Sequence, residues 1–430
     1  MAQEFIHTKH ASDSADIVDR INALLNYLQS NSPYYRAQFS NLKIPNPCIK
    51  QLSDLRQFPF TTKEDLQRNN DAFFCQPLER IAEYTASSGT LGSPVTIGLT
   101  RNDLIRLQRN ELHSFQLMGV GPGDIVQLML TLDRQFMAGL AYHQGAIESG
   151  AGVIRTGPAL PSMQLEIAER LGSTVWVAVP SFLIRIKQYA REKNINLNTL
   201  PVRKILCIGE GIRNEDFTYN ELGRQITDDW QVQLFSTYAS TEMQTAFTEC
   251  TAACGGHVQP DLVYVEFIGD DGLPVADGEY GEVCVTTLGV EGTPLLRFLT
   301  GDICRANYQP CSCGRASWRI SPVRGRKKQM IKFKGTTLYP PALFDVLNQC
   351  AQIVDYVVEA RSNALGLDEL IIHVHTLLPV DHCEKELKPF LQARLRVLPE
   401  LHYISSSELH HLQFPPGSRK LIRFIDHRKA

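Results

Sequence analysis

Little in this sequence points to a partner held by bulk charge. Lys and Arg number 43 against 46 Asp and Glu, a net charge of −3, so no basic field exists to hold nucleic acid or an anionic bilayer. Long apolar runs are missing too: the most hydrophobic windows, such as residues 175–184, are about half the ~20 residues a membrane helix needs. Residues 1–10 mix Glu4, His7, Lys9 and His10 and lack the apolar stretch of a secretory signal. Eleven cysteines in 430 residues are too few for a disulfide scaffold, which leaves reduced thiols or metal ligands. Glycine and proline, at 29 and 23, lie near the globular average and exclude collagen-like and linker-like chains. What is there is a 43% hydrophobic, 21% charged chain, able to bury a core in roughly three domain-sized units. The expectation is a cytoplasmic globular enzyme with no membrane and no nucleic-acid partner.

No internal repeat or low-complexity segment interrupts the chain. Residues 14–40 read as helical, with Ile17, Ile21, Leu24, Leu25 and Leu28 at helical spacing before the Ser32-Pro33 break. From about 81 to 300, buried-strand patterns at 125–130, 174–178 and 205–208 alternate with amphipathic helices at 162–171 and 181–193. That alternation predicts an α/β fold with a largely parallel sheet. Residues 262–285 change to hairpin-like strands around Gly269-Asp270-Asp271-Gly272 and Asp277-Gly278. After Gly325 five Lys and Arg fall within 326–334, and the remainder reads β-α-β-β-α-β, with a strand at 370–375 and a helix at 384–395. The expected division is a large domain over 1–325 and a small α+β domain over 326–430.

The most telling stretch is Thr85-Ala86-Ser87-Ser88-Gly89-Thr90-Leu91-Gly92-Ser93-Pro94. Two glycines let a backbone approach a phosphate closely, and the hydroxyls of Ser87, Ser88 and Thr90 add uncharged donors. The Lys-Ser/Thr ending of a Walker A loop is absent. Downstream come Tyr238-Ala239-Ser240-Thr241-Glu242, Leu299-Thr300-Gly301-Asp302, Gly325-Arg326-Lys327-Lys328-Gln329-Met330-Ile331-Lys332 and Ser418-Arg419-Lys420. In that order the five motifs resemble those of the adenylate-forming superfamily, the acyl-CoA synthetases and related ligases. Within it the chain is most similar to phenylacetate-CoA ligases, through residues 294–302, the Arg423-Phe424-Ile425-Asp426-His427-Arg428 tail and Phe136-Met137-Ala138-Gly139-Leu140.

The resemblance implies a large N-terminal adenylation domain with parallel-rich sheets and a β-barrel-like part, followed by a small mobile domain. It also implies ATP, Mg²⁺ and coenzyme A as cofactors and a small carboxylic acid, phenylacetate or a related aryl acid, as substrate. A carboxylate is a poor electrophile, and coupling it to AMP supplies a leaving group. That step requires the ATP phosphates to be neutralised and the acid aligned on the α-phosphate. By resemblance, Ser87, Ser88, Gly89, Thr90, Gly92 and Ser93 cradle the β- and γ-phosphates. Glu242 ligates Mg²⁺, the hard cation that prefers carboxylate oxygen, and Thr241 donates to the α-phosphate. Asp302 accepts the ribose hydroxyls, and Arg326 meets the ribose or α-phosphate. Gly209, Glu210 and Gly211 flank the adenine with Tyr238, beside Ala239 and Ser240. Lys420 places an ammonium where transition-state charge concentrates. Phe136, Tyr142, Ile208 and Phe235 line the acyl pocket.

In such families the small domain rotates between half-reactions about a hinge at Lys328, so that Lys332, Lys334 and Gly335 face coenzyme A. Two further readings share the first half-reaction or only the fold: loading of a carrier protein's phosphopantetheine, and an inactive nucleotide-binding regulator. A homodimer is a further expectation.

Two departures stand out. Ser93 occupies the position where relatives carry Lys, so the loop has one cation fewer; this implies weaker ATP binding or compensation by another basic residue. Ser236 and Thr237 replace the aromatic or acidic residues that commonly precede the Tyr238 motif.

Cys250, Cys254 and His257 form C-x3-C-x2-H, and Cys311 and Cys313 form C-x-C. A structural Zn²⁺ site needs four such soft ligands in tetrahedral array. The resemblance selects Cys250, His257, Cys311 and Cys313 and leaves Cys254 spare.

Overall fold

The computed structural model describes residues 11–87, 94–363, 367–415 and 421–428. The chain forms two compact units, Met1–Thr218 with Ile226–Pro322, and Tyr219–Gln225 with Val323–Ala430. The short segment Tyr219–Gln225, which sequence pattern leaves inside the larger domain, therefore groups with the smaller one.

The first unit opens with α1 (Ala11–Asn31) and α2 (Pro33–Asn41). Ser32 separates them: its side chain caps α2 by accepting from Tyr35 N, and Pro33 presets the first turn. Next come α3 (Lys63–Arg68), the β1 (Glu83–Ala86) and β2 (Thr96–Leu99) hairpin, and α4 (Arg101–Leu117). Then β3 (Ile125–Leu128), α5 (Met137–Glu148), β4 (Gly152–Arg155), α6 (Pro161–Leu171), β5 (Val175–Ala178), α7 (Pro180–Glu192) and β6 (Lys204–Cys207) alternate. After α8 (Glu221–Thr227), β7 (Gln233–Ser240) and β8 (Thr245–Thr248) complete a six-stranded sheet of order β4-β3-β5-β6-β7-β8. All its pairs are parallel except the β7–β8 hairpin. The β5 run Val175-Trp176-Val177-Ala178 is buried throughout, as expected for a strand covered on both faces. Helices α6 and α7 both start on a proline, and α6 stops at Gly172 in the left-handed conformation.

The strands β9 (Gly256–His257), β10 (Val263–Ile268), β11 (Gly281–Thr287), β12 (Phe298–Cys304), β13 (Ala306–Asn307) and β14 (Arg319–Ile320) follow. Here β10, β11 and β12 run antiparallel in that order, and β9, β14 and β13 make a second small sheet. The change from parallel to antiparallel pairing agrees with the turn-rich pattern expected over 262–285.

The second unit contains β15 (Gly325–Arg326), β16 (Ile331–Phe333), β17 (Thr336–Leu338), α9 (Pro340–Asn348), β18 (Ile353–Ser362), β19 (Asp368–Thr376), α10 (Val380–Leu395), β20 (Glu400–Tyr403), α11 (Ser406–Gln413) and β21 (Phe424–Asp426). Its main sheet has the order β20-β19-β18-β21 over a core that includes Ile331, Leu343, Tyr356, Ile372 and Leu391. The β-α-β-β-α-β expectation missed the β16–β17 hairpin, α11 and β21. Three of these strands are three residues long, too short for an alternation to register. Arg428 fastens the tail, donating to Met330 O (2.6 Å) and Lys328 O (3.2 Å) and pairing with Asp368 (3.0 Å).

Candidate functional site

The β7–β8 hairpin carries the Tyr238-Ala239-Ser240-Thr241-Glu242 motif at its tip. Ser240 pairs with Thr245, so Thr241, Glu242, Met243 and Gln244 form the connecting turn, with Gln244 at φ +51. The turn is held from below. The guanidinium of Arg106 on α4 donates to Gln244 O (2.6 Å), Leu288 O (2.9 Å) and Leu262 O (2.5 Å), while Gln244 Nε2 donates to Thr293 O (3.0 Å). A buried cation that satisfies several backbone carbonyls fixes the loop that displays Glu242.

Glu242 is buried, and the ammonium of Lys63 stands 3.0 Å from its Oε1. Lys63 is the first residue of α3, which Thr62 and Asp65 cap reciprocally. Just before it, Thr61 bridges to β12: its N–H donates to Arg297 O (3.0 Å) and its carbonyl accepts from Leu299 N (2.9 Å). Those two bonds set α3 beside the Thr300-Gly301-Asp302 motif. Sequence reading missed Lys63. No local pattern singles it out, because its contact with Glu242 joins segments far apart in the chain.

Asp302 sits in an irregularity of β12. Cys284 pairs with Leu299 and Glu282 with Ile303, so three β12 residues oppose one on β11, and Gly301 takes φ +80. The Asp302 N–H donates to Thr300 Oγ1 (3.1 Å), and Tyr238 donates its hydroxyl to Asp302 Oδ2 (3.0 Å), 3.3 Å from Thr300 Oγ1. Burial and the adjacent Asp302 carboxylate push the Tyr238 phenol well above its ordinary value, so it remains a donor. The motifs at 238–242 and 299–302 are thus brought together within the first unit.

The Gly209-Glu210-Gly211 turn follows β6, with Gly209 at φ +77, a conformation that favours glycine. The Glu210 carboxylate is engaged at the start of α7, accepting from Ser181 N (2.8 Å) and Ser181 Oγ (2.9 Å). Ser87 closes the hairpin loop after β1, pairing its N–H with Val95 O (2.9 Å) and accepting from Val95 N (3.2 Å). Ser88, Gly89, Thr90, Gly92, Ser93 and Lys420 lie outside the described residues.

Tyr142, Ile208 and Phe235 are buried in one apolar cluster with Phe136 packed against it. The four residues expected at the acyl pocket therefore meet. A separate group forms where the loop after β8 approaches 311–314. One ligand atom each from Cys250, His257, Cys311 and Cys313 lies within 4.8 Å of all the others. His257 Nδ1 is 2.9 Å from Ser317 Oγ, which turns Nε2 to the cluster, 3.5 Å from Cys313 Sγ. Burial, with Arg319 and Arg315 nearby, lowers His257 to about 4, so the ring is neutral. Cys254 contacts the Arg319 guanidinium and stands outside the set.

Residues 40–291 match the family described as AMP-binding enzyme. The chain belongs to the AMP-binding enzyme family. Among its relatives, the phenylacetate-coenzyme A ligase of Thermus thermophilus is 27% identical over 363 residues, 83% of this chain and 80% of that protein. The Escherichia coli protein of that name is 28% identical over 331 residues, 75% and 73%. A solved 2-hydroxyisobutyryl-CoA ligase in complex with 2-HIB-AMP shares the fold at TM-score 0.83 and 20% identity, covering 97% of this chain and 90% of that one. An anthranilate CoA ligase in complex with anthranoyl-AMP does so at 0.59 and 16%, over 81% and 67%.

In the second unit of this AMP-binding enzyme, Lys334 and Gly335 form the two-residue turn between β16 and β17, at φ +48 and +82. Two consecutive left-handed residues match the twist of a tight hairpin. Lys334 Nζ donates to Leu398 O (3.2 Å) and lies over Phe333, and the Lys332 N–H donates to Asp368 (2.7 Å). The Lys332 side chain and Arg326 are exposed. No helix among the described residues is long and apolar enough to cross a membrane.

Proposed function

We propose that this enzyme couples an organic acid to AMP and passes the acyl group to coenzyme A, with phenylacetate or a related aryl acid as substrate. A carboxylate oxygen bonds to the α-phosphorus of ATP and pyrophosphate leaves with the bonding electrons. The thiol sulfur of coenzyme A then bonds to the acyl carbon, its proton passes to solvent, and AMP departs. The observation that carries this reading is the Tyr238–Asp302 hydrogen bond beside the hairpin tip that presents Glu242, in a chain of this family. Tyr238 holds Asp302 for a ribose, and Thr241 and Glu242 stand one hairpin turn away for the phosphates.

Glu242 offers the buried hard oxygen that suits Mg²⁺, whose charge would offset the departing pyrophosphate. The 87–93 loop takes the outer phosphates, Lys420 and Arg326 the α-phosphate side, and Lys332, Lys334 and Gly335 the phosphates of coenzyme A. The relatives named above use coenzyme A, which favours the free thiol over a carrier protein. Cys250, His257, Cys311 and Cys313 fit structural Zn²⁺ in number, softness and spacing, with Ser317 orienting the histidine. They would tie two loops together and take no part in the chemistry.

Pyrophosphate exchange with a panel of acids, followed by thioester assay with free coenzyme A, tests the reading. Exchange with arylacetates, thioester formation, and loss of exchange in Lys420→Ala are expected. Exchange without thioester would move the acceptor to a carrier protein, and no exchange with any acid would leave a nucleotide-binding regulator.

A further inference from the structure

A buried carboxyl group on α4 has no part in the nucleotide chemistry. Glu111 is 4% exposed and sits where α4 crosses α5 so closely that a Cβ on Gly145 would lie 2.5 Å from the Glu111 Cβ. Ser114 stands beside this carboxyl and donates its hydroxyl to Asn110 O (3.3 Å); Glu111 Oε2 is buried with no hydrogen-bond partner among the described residues. From Ser114 a line of hydroxyls leads away. Thr248 Oγ1 donates to Ser114 Oγ (2.9 Å), Thr248 and Thr237 share a hydrogen bond (2.9 Å), and the Tyr142 hydroxyl lies next to Thr237. Burial raises the Glu111 carboxyl to about 8, so at neutral pH it carries a proton and can donate as well as accept.

The line ends at the cluster read as the acyl pocket. Tyr142 belongs to that cluster. Thr237 is two residues from Phe235 on β7, hence on the same face of the strand, and it is half-buried where Phe235 is fully covered. A core made to hold an unsubstituted ring has no use for five adjoining polar side chains, and a buried oxygen left unpaired is costly. Ser114 donates to Asn110 O and Thr248 to Ser114, so Thr237 gives its proton to Thr248 and keeps oxygen lone pairs for a donor at the open end.

We propose that Thr237 and Tyr142 give the acyl pocket a polar wall backed by Glu111, and that the acid activated here carries a hydroxyl or amino substituent on its carbon skeleton. This rests on the reading of Phe136, Tyr142, Ile208 and Phe235 as the acyl pocket of an acid-activating enzyme.

The test is pyrophosphate exchange by the full-length enzyme with matched acids, aryl and aliphatic, each with and without a hydroxyl or amino group. The substituted member of a pair is expected to win in kcat/KM by roughly tenfold or more. Glu111→Leu and Thr237→Val are expected to erase that ratio while KM for ATP stays unchanged. Thr237→Val, at the half-buried end, carries the test if Glu111→Leu does not fold. Preference for unsubstituted acids, or a ratio unmoved in both variants, overturns the proposal. Exchange with substituted aliphatic acids alone would keep it and reject the aryl reading. Exchange with none rejects both.

Discussion

The Lys63 ammonium lies 3.0 Å from Oε1 of Glu242, which puts a cation from α3 at the carboxylate expected to serve the ATP phosphates. In the proposed site the loop position expected to hold Lys is Ser93, and we propose that Lys63 supplies that charge. Its side chain is 37% exposed, which limits the effect to about 1–2 kcal/mol, roughly five- to thirtyfold. Lys63→Met is expected to lower kcat/KM for ATP by that factor and Lys63→Arg to recover part of it, both read by pyrophosphate exchange. Wild-type kinetics in Lys63→Met would reduce the pair to a surface contact.

Tyr238 and Asp302 predict a graded pair. Tyr238→Phe removes one donor to a carboxylate, worth about 1.5 kcal/mol, so kcat/KM for ATP should fall about tenfold. Asp302→Ala removes the acceptor itself and should cost roughly a hundredfold or more. Equal effects of the two substitutions would show that Asp302 does not meet the nucleotide.

Metal analysis of protein purified without chelator should find about one equivalent of zinc. Cys311→Ser and His257→Ala should each lose it and lower Tm by roughly 5–10 °C, whereas Cys254→Ser should keep it. Less than about half an equivalent in the wild type rules the site out.

Glu111 sets a direction for stability against pH. Burial raises its folded value from 4.5 to about 8, so between those limits the folded chain holds a proton that the unfolded chain releases. Stability should therefore fall as pH rises through this window and level off above it. Glu111→Gln, which has no proton to lose, should be gaining on the wild type at pH 7.5 relative to pH 5.5 in urea melts. Parallel pH profiles would mean that the carboxyl is ionised in the fold.

Much of the site was legible because its chemistry is written in contiguous motifs. Gly301 and Gly209 stand where positive φ is needed, and Cys250, His257, Cys311 and Cys313 were separable from Cys254 by resemblance alone. The contribution of Arg106 to the Glu242 turn was not legible: 138 residues separate Arg106 from Gln244, and no local pattern encodes that contact. Glu210 was singled out beside the adenine; that its carboxylate is bound at the start of α7 was not legible, because a strand-end loop lies next to the following helix only after the sheet has assembled.

The sequence alone determined the α/β alternation, the order of the motifs and the kind of chemistry, since hydrophobic periodicity and loop composition are local properties. Tertiary structure decided which side chains meet. Lys63 reaches Glu242 because Thr61 pairs with β12, and Ser114 meets Thr248 because α4 packs on the β7–β8 hairpin. Both pairings depend on packing between segments more than a hundred residues apart, which no spacing along the chain records.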